Sequence, residues 1–399
     1  MLQFYRGNEV KLMIKTYKVM LCPNNKQRTK LFQNAGTARF VYNWAIAYQQ
    51  KNHESGGKFL SDYDLRKILT QLKQTDDLRW LNDYSNNTAK QAVKDACDAY
   101  KKFFNELSAF PKFKSKKKSK PSFYVDTAKI RITETHVKLE KLSDSRKANR
   151  QKLNWVRLAE HDRIPVGASY SNPRVTFDGL HWWLSVGVEC PESEEIPTNE
   201  GIGIDIGIKD LAVCSDGNTY ANINKTRKTK KLRKRQRRQQ RRVSGKYLKN
   251  RKGGSYCKTH NIRKAEKQLL KLNRRLTNIR HDWLHQITSE ITNRKPMFVV
   301  LENLNVSGMM KNHHLARAVQ EQGFHEFYRQ MAYKCRRKNI EFITADRYYP
   351  SSKMCCMCGH IRKDLKLSER TYVCPVCGNS IDRDFQASVN LKRYRESIA

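Results

Sequence analysis

Cys355-Cys356-Met357-Cys358-Gly359, then Cys374-Pro375-Val376-Cys377-Gly378, then Ile381-Asp382-Arg383-Asp384-Phe385: this C-terminal run is the key to the rest of the chain. Its cysteines follow the pattern C-x2-C-x15-C-x2-C. Each pair makes a tight knuckle whose two sulfurs converge, and two knuckles supply the four thiolates of a tetrahedral structural zinc site. Gly359 and Gly378 stand where a knuckle needs positive φ. With Cys355, Cys358, Cys374 and Cys377 as ligands the site is closed, and no position remains for a reactive water. Cys356 is a spare. Asp384 comes directly off the second knuckle into a helical pattern of Ala387, Leu391 and Tyr394. A carboxylate fixed by a metal-stapled ribbon calls for partners upstream.

Composition sets the class of partner. The 399 residues carry 79 Lys+Arg against 38 Asp+Glu, a formal charge of +41, far beyond what solubility requires. Such an excess points to a polyanion, and the length allows two or three domains. Membrane surface is the rival polyanion, but no long apolar run or basic amphipathic anchor stands out. Met1 to Lys15 lacks the apolar core of a signal peptide. Of eleven cysteines, five lie in the terminal block and six are scattered singly. That is not a paired disulfide framework, so a reducing, cytoplasmic setting is expected.

In chain order, Val10 to Leu21 reads as a strand ending at Pro23. Leu31, Ala35, Ala38, Tyr42 and Ala45 mark one face of a helix over Asn25 to Gln50. A second helix, Asn87 to Leu107, places Ala89, Val93, Ala96, Tyr100, Phe103 and Leu107 on one face. Its other face carries Asn87, Lys90, Gln91 and Lys94. That is an ordinary solvated face, or side chains suited to base edges and phosphates. Lys112 to Lys120 is a basic loop. Ser122 to Leu142 reads as strands, and Pro173 to Val188 as a hairpin around Asp178-Gly179, with Trp182 and Trp183 on opposite faces. Residues near 8–22 and 122–190 are expected to form a small β-barrel with the helices inserted. The acidic stretch Pro191 to Asn199 reads as a linker.

Gly201-Ile202-Gly203-Ile204-Asp205-Ile206-Gly207 opens the second half. An apolar strand does not take an unpaired carboxylate cheaply, so Asp205 asks for a charge partner. The glycines suggest close backbone approach, as for a metal or phosphate. Residues 225–252 hold 16 Lys+Arg among 28 and no acid, either a disordered arm or a partly helical one. Arg233, Lys234, Arg237 and Arg238 are its candidate RNA contacts. Asn261 to Asn293 reads as a long amphipathic helix ended by Pro296. Met297 to Leu301 is an apolar strand with Glu302 at its end, and Ile340 to Thr344 is another. Asp205, Glu302 and Asp384 can meet only through folding. Three converging carboxylates repel unless cations hold them, and Mg²⁺ takes oxygen ligands of this kind. On so basic a chain, phosphodiester hydrolysis by a two-metal mechanism is the natural chemistry.

Gly203-Ile204-Asp205-Ile206-Gly207, Val300-Leu301-Glu302-Asn303-Leu304, Ser351-Ser352-Lys353 leading into the knuckles, and Asp382-Arg383-Asp384 resemble the transposon-encoded TnpB (OrfB) family. Arg39-Phe40-Val41-Tyr42-Asn43-Trp44 is similar to that family's N-terminal helix. These are RNA-guided DNA nucleases related to type V CRISPR effectors. The resemblance implies an α/β RuvC-like, RNase H-fold nuclease over 200–350 and 379–399, with a zinc-ribbon insertion at 351–378 that binds target nucleic acid. It implies a wedge β-barrel from 1–22 and 122–190, and a helical recognition lobe at 23–121. It further implies catalytic acids at Asp205, Glu302 and Asp384, a guide RNA from the insertion sequence, and double-stranded target DNA cut beside a short adjacent motif. The family's Asn two residues after the last acid is Gln386 here, followed by Ala387 and Ser388. Two alternatives stand beside the nuclease: a nuclease-impaired RNA-guided repressor, and a transposase accessory protein.

Overall fold

A computed structural model describes residues 12–143, 152–191, 196–366 and 368–398. Val10 and Lys11 of the expected first strand, and 192–195 of the expected linker, lie outside the described residues. The chain divides into two compact units, Met1–Pro191 and Glu192–Ala399.

The first unit is built around β1 (Leu12–Cys22), which pairs along ten residues with β7 (Trp182–Pro191), from Leu12↔Pro191 to Leu21↔Trp182. With β2 (Ser122–Tyr124), β3 (Arg131–Ile132), β4 (His136–Lys138), β5 (Trp155–Leu158) and β6 (Tyr170–Phe177), they form a seven-stranded antiparallel ladder in the order β2-β6-β7-β1-β5-β4-β3. The β6–β7 turn is held by the Asp178 carboxylate. It accepts from the Leu180 and His181 amides at 2.9 and 2.8 Å and from Trp183 Nε1 at 2.7 Å, while Gly179 supplies φ +94°.

Helix α1 (Asn25–Glu54) starts at a capping box in which Asn24 and Gln27 exchange 2.9 Å bonds, and Leu31, Ala35, Ala38, Tyr42 and Ala45 are buried along it. Helix α2 (Asp62–Leu72) has no counterpart in the sequence reading, because only Leu65 and Leu69 are buried and two positions display no period. Its one signal is Ser61-x-x-Asp64, a capping box. Helix α3 (Asn86–Phe104) ends earlier than its apolar spacing predicts: Glu106 adopts φ +57° and turns the chain. Phe103 and Leu107, expected on the packed face, are exposed.

In the second unit, β8 (Ile202–Ile206) lies between β9 (Asp210–Cys214), antiparallel to it, and β13 (Phe298–Leu301), parallel to it. β10 (Thr219–Ala221) and β14 (Glu341–Thr344) complete a five-stranded sheet ordered β10-β9-β8-β13-β14. The basic run is ordered as helix α4 (Arg227–Lys249), followed by a short hairpin, β11 (Arg251–Lys252) and β12 (Ser255–Tyr256), and by α5 (His260–Asn293). The apolar stripe of α5 is buried only toward its ends, at Ile262, Ala265, Leu284, Ile287 and Ile291; Leu269, Leu272, Leu276 and Ile279 are half-buried. Helices α6 (Val306–Met309), α7 (His313–Gln322) and α8 (Phe324–Arg337) connect β13 to β14. The ribbon strands β15 (Thr371–Val373) and β16 (Ser380–Asp382) precede α9 (Arg383–Ser397), which packs on β8. No described helix is long and apolar enough to cross a membrane.

Candidate active site and nucleic-acid interface

Three elements bring three acids together. Leu301 pairs with Ile204 in the parallel ladder, so the next residues along each chain, Glu302 and Asp205, arrive level with one another. Asp384 enters from the first turn of α9, which lies on β8. Gly203 makes that approach possible: a Cβ there would stand 2.1 Å from the Ser388 carbonyl oxygen and 2.3 Å from the Lys392 amide nitrogen. The sequence suggested a metal or phosphate against these glycines. At Gly203 the close neighbour is instead the backbone of α9.

Asp205 keeps some surface exposure, yet protein surrounds it closely. Desolvation, then the charges of Glu302 and Asp384, push its carboxyl well above the usual range. Burial also raises Glu302, while its hydrogen bond with Asp205 and the Arg383 guanidinium pull the other way. Two carboxyls this close, with Asp384 nearby, cannot all stay ionised without repulsion, so the cluster favours uptake of positive charge. Partly exposed carboxylate oxygens crowded in this way are a fitting cradle for a hard divalent cation, which would offset the repulsion.

Sequence reasoning missed two cations here. Arg370, on the zinc-ribbon block, places Nη1 3.5 Å from both Asp384 oxygens. Arg383 sits between ribbon and acids, donating to the Lys366 and Glu369 carbonyls at 3.3 and 3.4 Å. Arg370 has no local pattern that marks it, whereas Arg383 lies between two aspartates. Asp382 is the cap of α9, accepting from the Asp384 and Phe385 amides at 2.9 and 3.0 Å. Gln386 is fully buried, and its amide has no hydrogen-bond partner among the described residues. Two residues on from Asp384 is more than half a helical turn, which explains why it does not orient that acid.

The four cysteines converge. Their Sγ atoms all lie within 4.8 Å of one another, with Cys355–Cys377 at 3.6 Å and Cys358–Cys374 at 3.5 Å. A tetrahedron with Zn–S bonds of about 2.3 Å has edges of about 3.8 Å, so the quartet suits zinc. Gly359 and Gly378 take φ +78° and +71°. The Cys377 and Val376 amides, bonded to the Cys374 sulfur, help bring that thiol down to about 6. Cys356 is buried but is not among the four. Cys374→Ser is therefore expected to lower bound zinc from about one per chain and to destabilise the ribbon, with Cys356→Ser doing neither. Metal analysis and limited proteolysis of the two variants decide; equal losses from both would refute the ligand set.

The candidate nucleic-acid contacts separate. On α4, Lys228, Lys231, Arg235, Arg238 and Arg242 recur every three or four residues and, with Arg275 of α5, line a cleft of about 560 Å³ that has no acid in its wall. Arg233 and Arg237 face elsewhere, and Lys234 is exposed. On α3, Lys90 and Lys94 are exposed, but Gln91 is engaged: its Nε2 donates to Asp95 at 2.9 Å. Asp95 in turn holds Arg174 through two 2.8 Å bonds. Asn87 is half-buried.

Comparison with known proteins shows what the chain is similar to. Residues 185–313 match the family described as "Probable transposase" (OrfB_IS605), 324–391 match "Cas12f1-like, TNB domain", and 13–58 match a helix-turn-helix domain of OrfB type. The chain is 28% identical to "Putative RNA-guided DNA endonuclease InsQ" of Escherichia coli (strain K12), over 95% of this chain and 91% of that one. It is 29% identical to a "Putative RNA-guided DNA endonuclease" of Streptomyces pristinaespiralis, over 94% and 88%. Among solved structures, the protein of a Cas12f1–sgRNA–target DNA complex shares its fold at TM-score 0.61 and 13% identity, covering 96% of this chain and 99% of that one.

Proposed function

We propose that this chain, a TnpB-like relative of the type V effectors, is an RNA-guided, metal-dependent DNA endonuclease of an insertion sequence. Its target is double-stranded DNA beside a short adjacent motif. The observation that carries this reading is the meeting of Asp205, Glu302 and Asp384, from two strands and a helix, at a cost that a bound divalent cation would offset. The strand order β10-β9-β8-β13-β14, with its antiparallel and parallel halves, supports a RuvC-like, RNase H-type nuclease. The seven-stranded ladder supports a wedge barrel. The residues present fit Mg²⁺, and a pair of such ions would supply an activated water and charge for the leaving oxygen. Asp205 and Glu302 would hold them from adjacent strands and Asp384 from the helix. Arg370 would bind the phosphate flank beside Asp384 once that carboxylate turns to a cation. The quartet of cysteines would hold structural Zn²⁺.

The acid-free stripe on α4 is the proposed guide-RNA contact; of Arg233, Lys234, Arg237 and Arg238, only Arg238 lines it. Arg235→Ala, Arg238→Ala and Arg242→Ala together should weaken RNA binding and flatten its salt dependence by roughly two to three in log–log slope, since each phosphate contact releases counterions. Filter binding across a salt series tests this; an unchanged slope would remove the stripe from the interface. Asn87, Lys90, Gln91 and Lys94 are proposed to face the adjacent motif, Gln91 with its amide set by Asp95.

The function itself is tested by sequencing the RNA that copurifies with the chain, then supplying it with a matched, motif-bearing duplex under Mg²⁺ or Mn²⁺. Cutting is expected. Binding without cutting would instead support the nuclease-impaired repressor, the reading favoured by the unpartnered amide of Gln386.

A further inference from the structure

The other side of α4 borders a larger cleft, about 640 Å³, whose charges do not balance. Arg233 and Arg237 come from α4, Arg280 from α5 and Arg317 from α7, and all four line the cleft together with Glu321. Arg233 Nη2 reaches Glu321 Oε2 at 2.5 Å, and Arg317 Nε reaches Oε1 at 2.9 Å. Arg280 lies in the field of the same carboxylate without an ion-pair contact, and Arg237 has no acidic partner among the described residues. The other carboxylate in the wall, Glu326, is already taken by Arg329 at 2.7 and 2.8 Å and by Gln330 at 2.9 Å. Four guanidiniums therefore share one anion.

Arginine cannot shed its proton to relieve such crowding. Burial and the repulsion of Arg317, Arg280 and Arg237 already strain Arg233, whose side chain is only 20% exposed. An added anion would relieve it. A phosphodiester offers two oxygens to a guanidinium fork in the same geometry as a carboxylate. Glu321 thus has the place and the contacts that a backbone phosphate would have.

We propose that this cleft is a seat for a nucleic-acid phosphodiester, and that Glu321 is its internal stand-in, displaced when the strand arrives. The proposal rests on the nucleic-acid reading above and adds a site to it. The seat is tied to the catalytic strand. Gln322, the neighbour of Glu321, is 3% exposed and donates Nε2 to the Gly207 carbonyl at 2.6 Å, two residues beyond Asp205. A backbone held at the seat is held at a fixed offset from the carboxylates.

The test uses the full chain carrying Asp205→Ala, so that nothing is cut. Binding of the copurifying RNA, and of single-stranded DNA of the same sequence, is measured across a salt series. Arg237→Gln with Arg280→Gln breaks no ion pair, so the melting temperature should hold, while affinity falls about tenfold and the log–log salt slope flattens by about one. Glu321→Gln should act in the opposite direction and tighten binding several-fold at low salt, because it removes the competing charge. A loss confined to RNA assigns the seat to the guide, and a loss confined to DNA assigns it to the target strand. If the arginine pair changes neither affinity, or if Glu321→Gln weakens binding as the arginine variants do, the cluster is structural and the seat is overturned. A parent chain that binds neither nucleic acid would overturn the functional reading as well.

Discussion

Asp205→Ala is expected to abolish DNA cleavage, by at least about a thousandfold or ~4 kcal/mol of barrier, and to leave binding of guide RNA and matched duplex nearly unchanged. Binding should survive because the proposed RNA contact, the cation stripe on α4, is built from other residues. Cleavage should not, because Asp205 is the acid on which Glu302 and Asp384 converge. Stability should move the opposite way from activity. Asp205 titrates above its unfolded value when folded, so the folded chain holds a proton that the unfolded chain gives up. Its contribution to stability is present below the ordinary carboxylate range and is lost as pH rises toward the raised folded value. Asp205→Asn removes that loss. In EDTA the variant should therefore melt higher than the parent, and its advantage should grow as pH rises, with each 1 kcal/mol worth about 2–4 °C in a unit of this size. Mg²⁺ should raise the melting temperature of the parent and not of the variant. A variant that still cuts, or that melts lower than the parent at neutral pH in EDTA, would take Asp205 out of the site.

Much of this geometry was legible in the sequence because its signals are local. The knuckle spacing gave the cysteine quartet, and apolar flanks marked Asp205 and Glu302 as acids in need of partners. Asp178-Gly179 between β-rich runs located the hairpin, whose side-chain bonds span only a few residues. What sequence could not show is set by contacts between distant segments. Arg370 meets Asp384 across fourteen residues and through a ribbon fold, and nothing around Arg370 distinguishes it from the other arginines. Gln91 looked like part of a free polar face until Arg174, 79 residues away from Asp95, fixed its neighbour. Helix α2 was invisible because a helix with two buried residues has no period to read. Phe103 and Leu107 misled in the other direction: their spacing continues the stripe of α3, but the chain turns at Glu106, leaving Leu107 exposed and Phe103 against Phe104 and Phe110 at the surface rather than in the core. The middle of α5 shows the same limit, since heptad spacing states which face is apolar and not whether another element covers it.

The glycine of β8 carries the last prediction. Gly203→Ala should destabilise the second unit and disable cleavage together, without touching an acid. The added methyl would meet the Ser388 carbonyl at 2.1 Å and the Lys392 amide at 2.3 Å, and both are backbone atoms of α9. A flexible side chain could swing aside, but a helix backbone can only move as a body. Overpacking of this kind costs about 3 kcal/mol, at the upper end for an added methyl, or roughly 6–12 °C of melting temperature for a unit the size of Glu192–Ala399. The helix that retreats is the one that delivers Asp384, so the retreat widens the gap between Asp384 and the Asp205–Glu302 pair. A misplacement of about 1 Å is enough for a hundredfold loss in rate. Gly207→Ala is the control on the same segment: its methyl would meet only the Asp210 carbonyl, at 3.2 Å, and should cost little in either measure. Melting curves and single-turnover cleavage of the two variants give the answer. The signature is a Gly203→Ala chain that, at temperatures well below its own transition, stays folded and still binds guide and duplex but cuts at least about a hundredfold more slowly. If that folded chain cuts at the parental rate, the close contact between β8 and α9 does not set the distance between the acids.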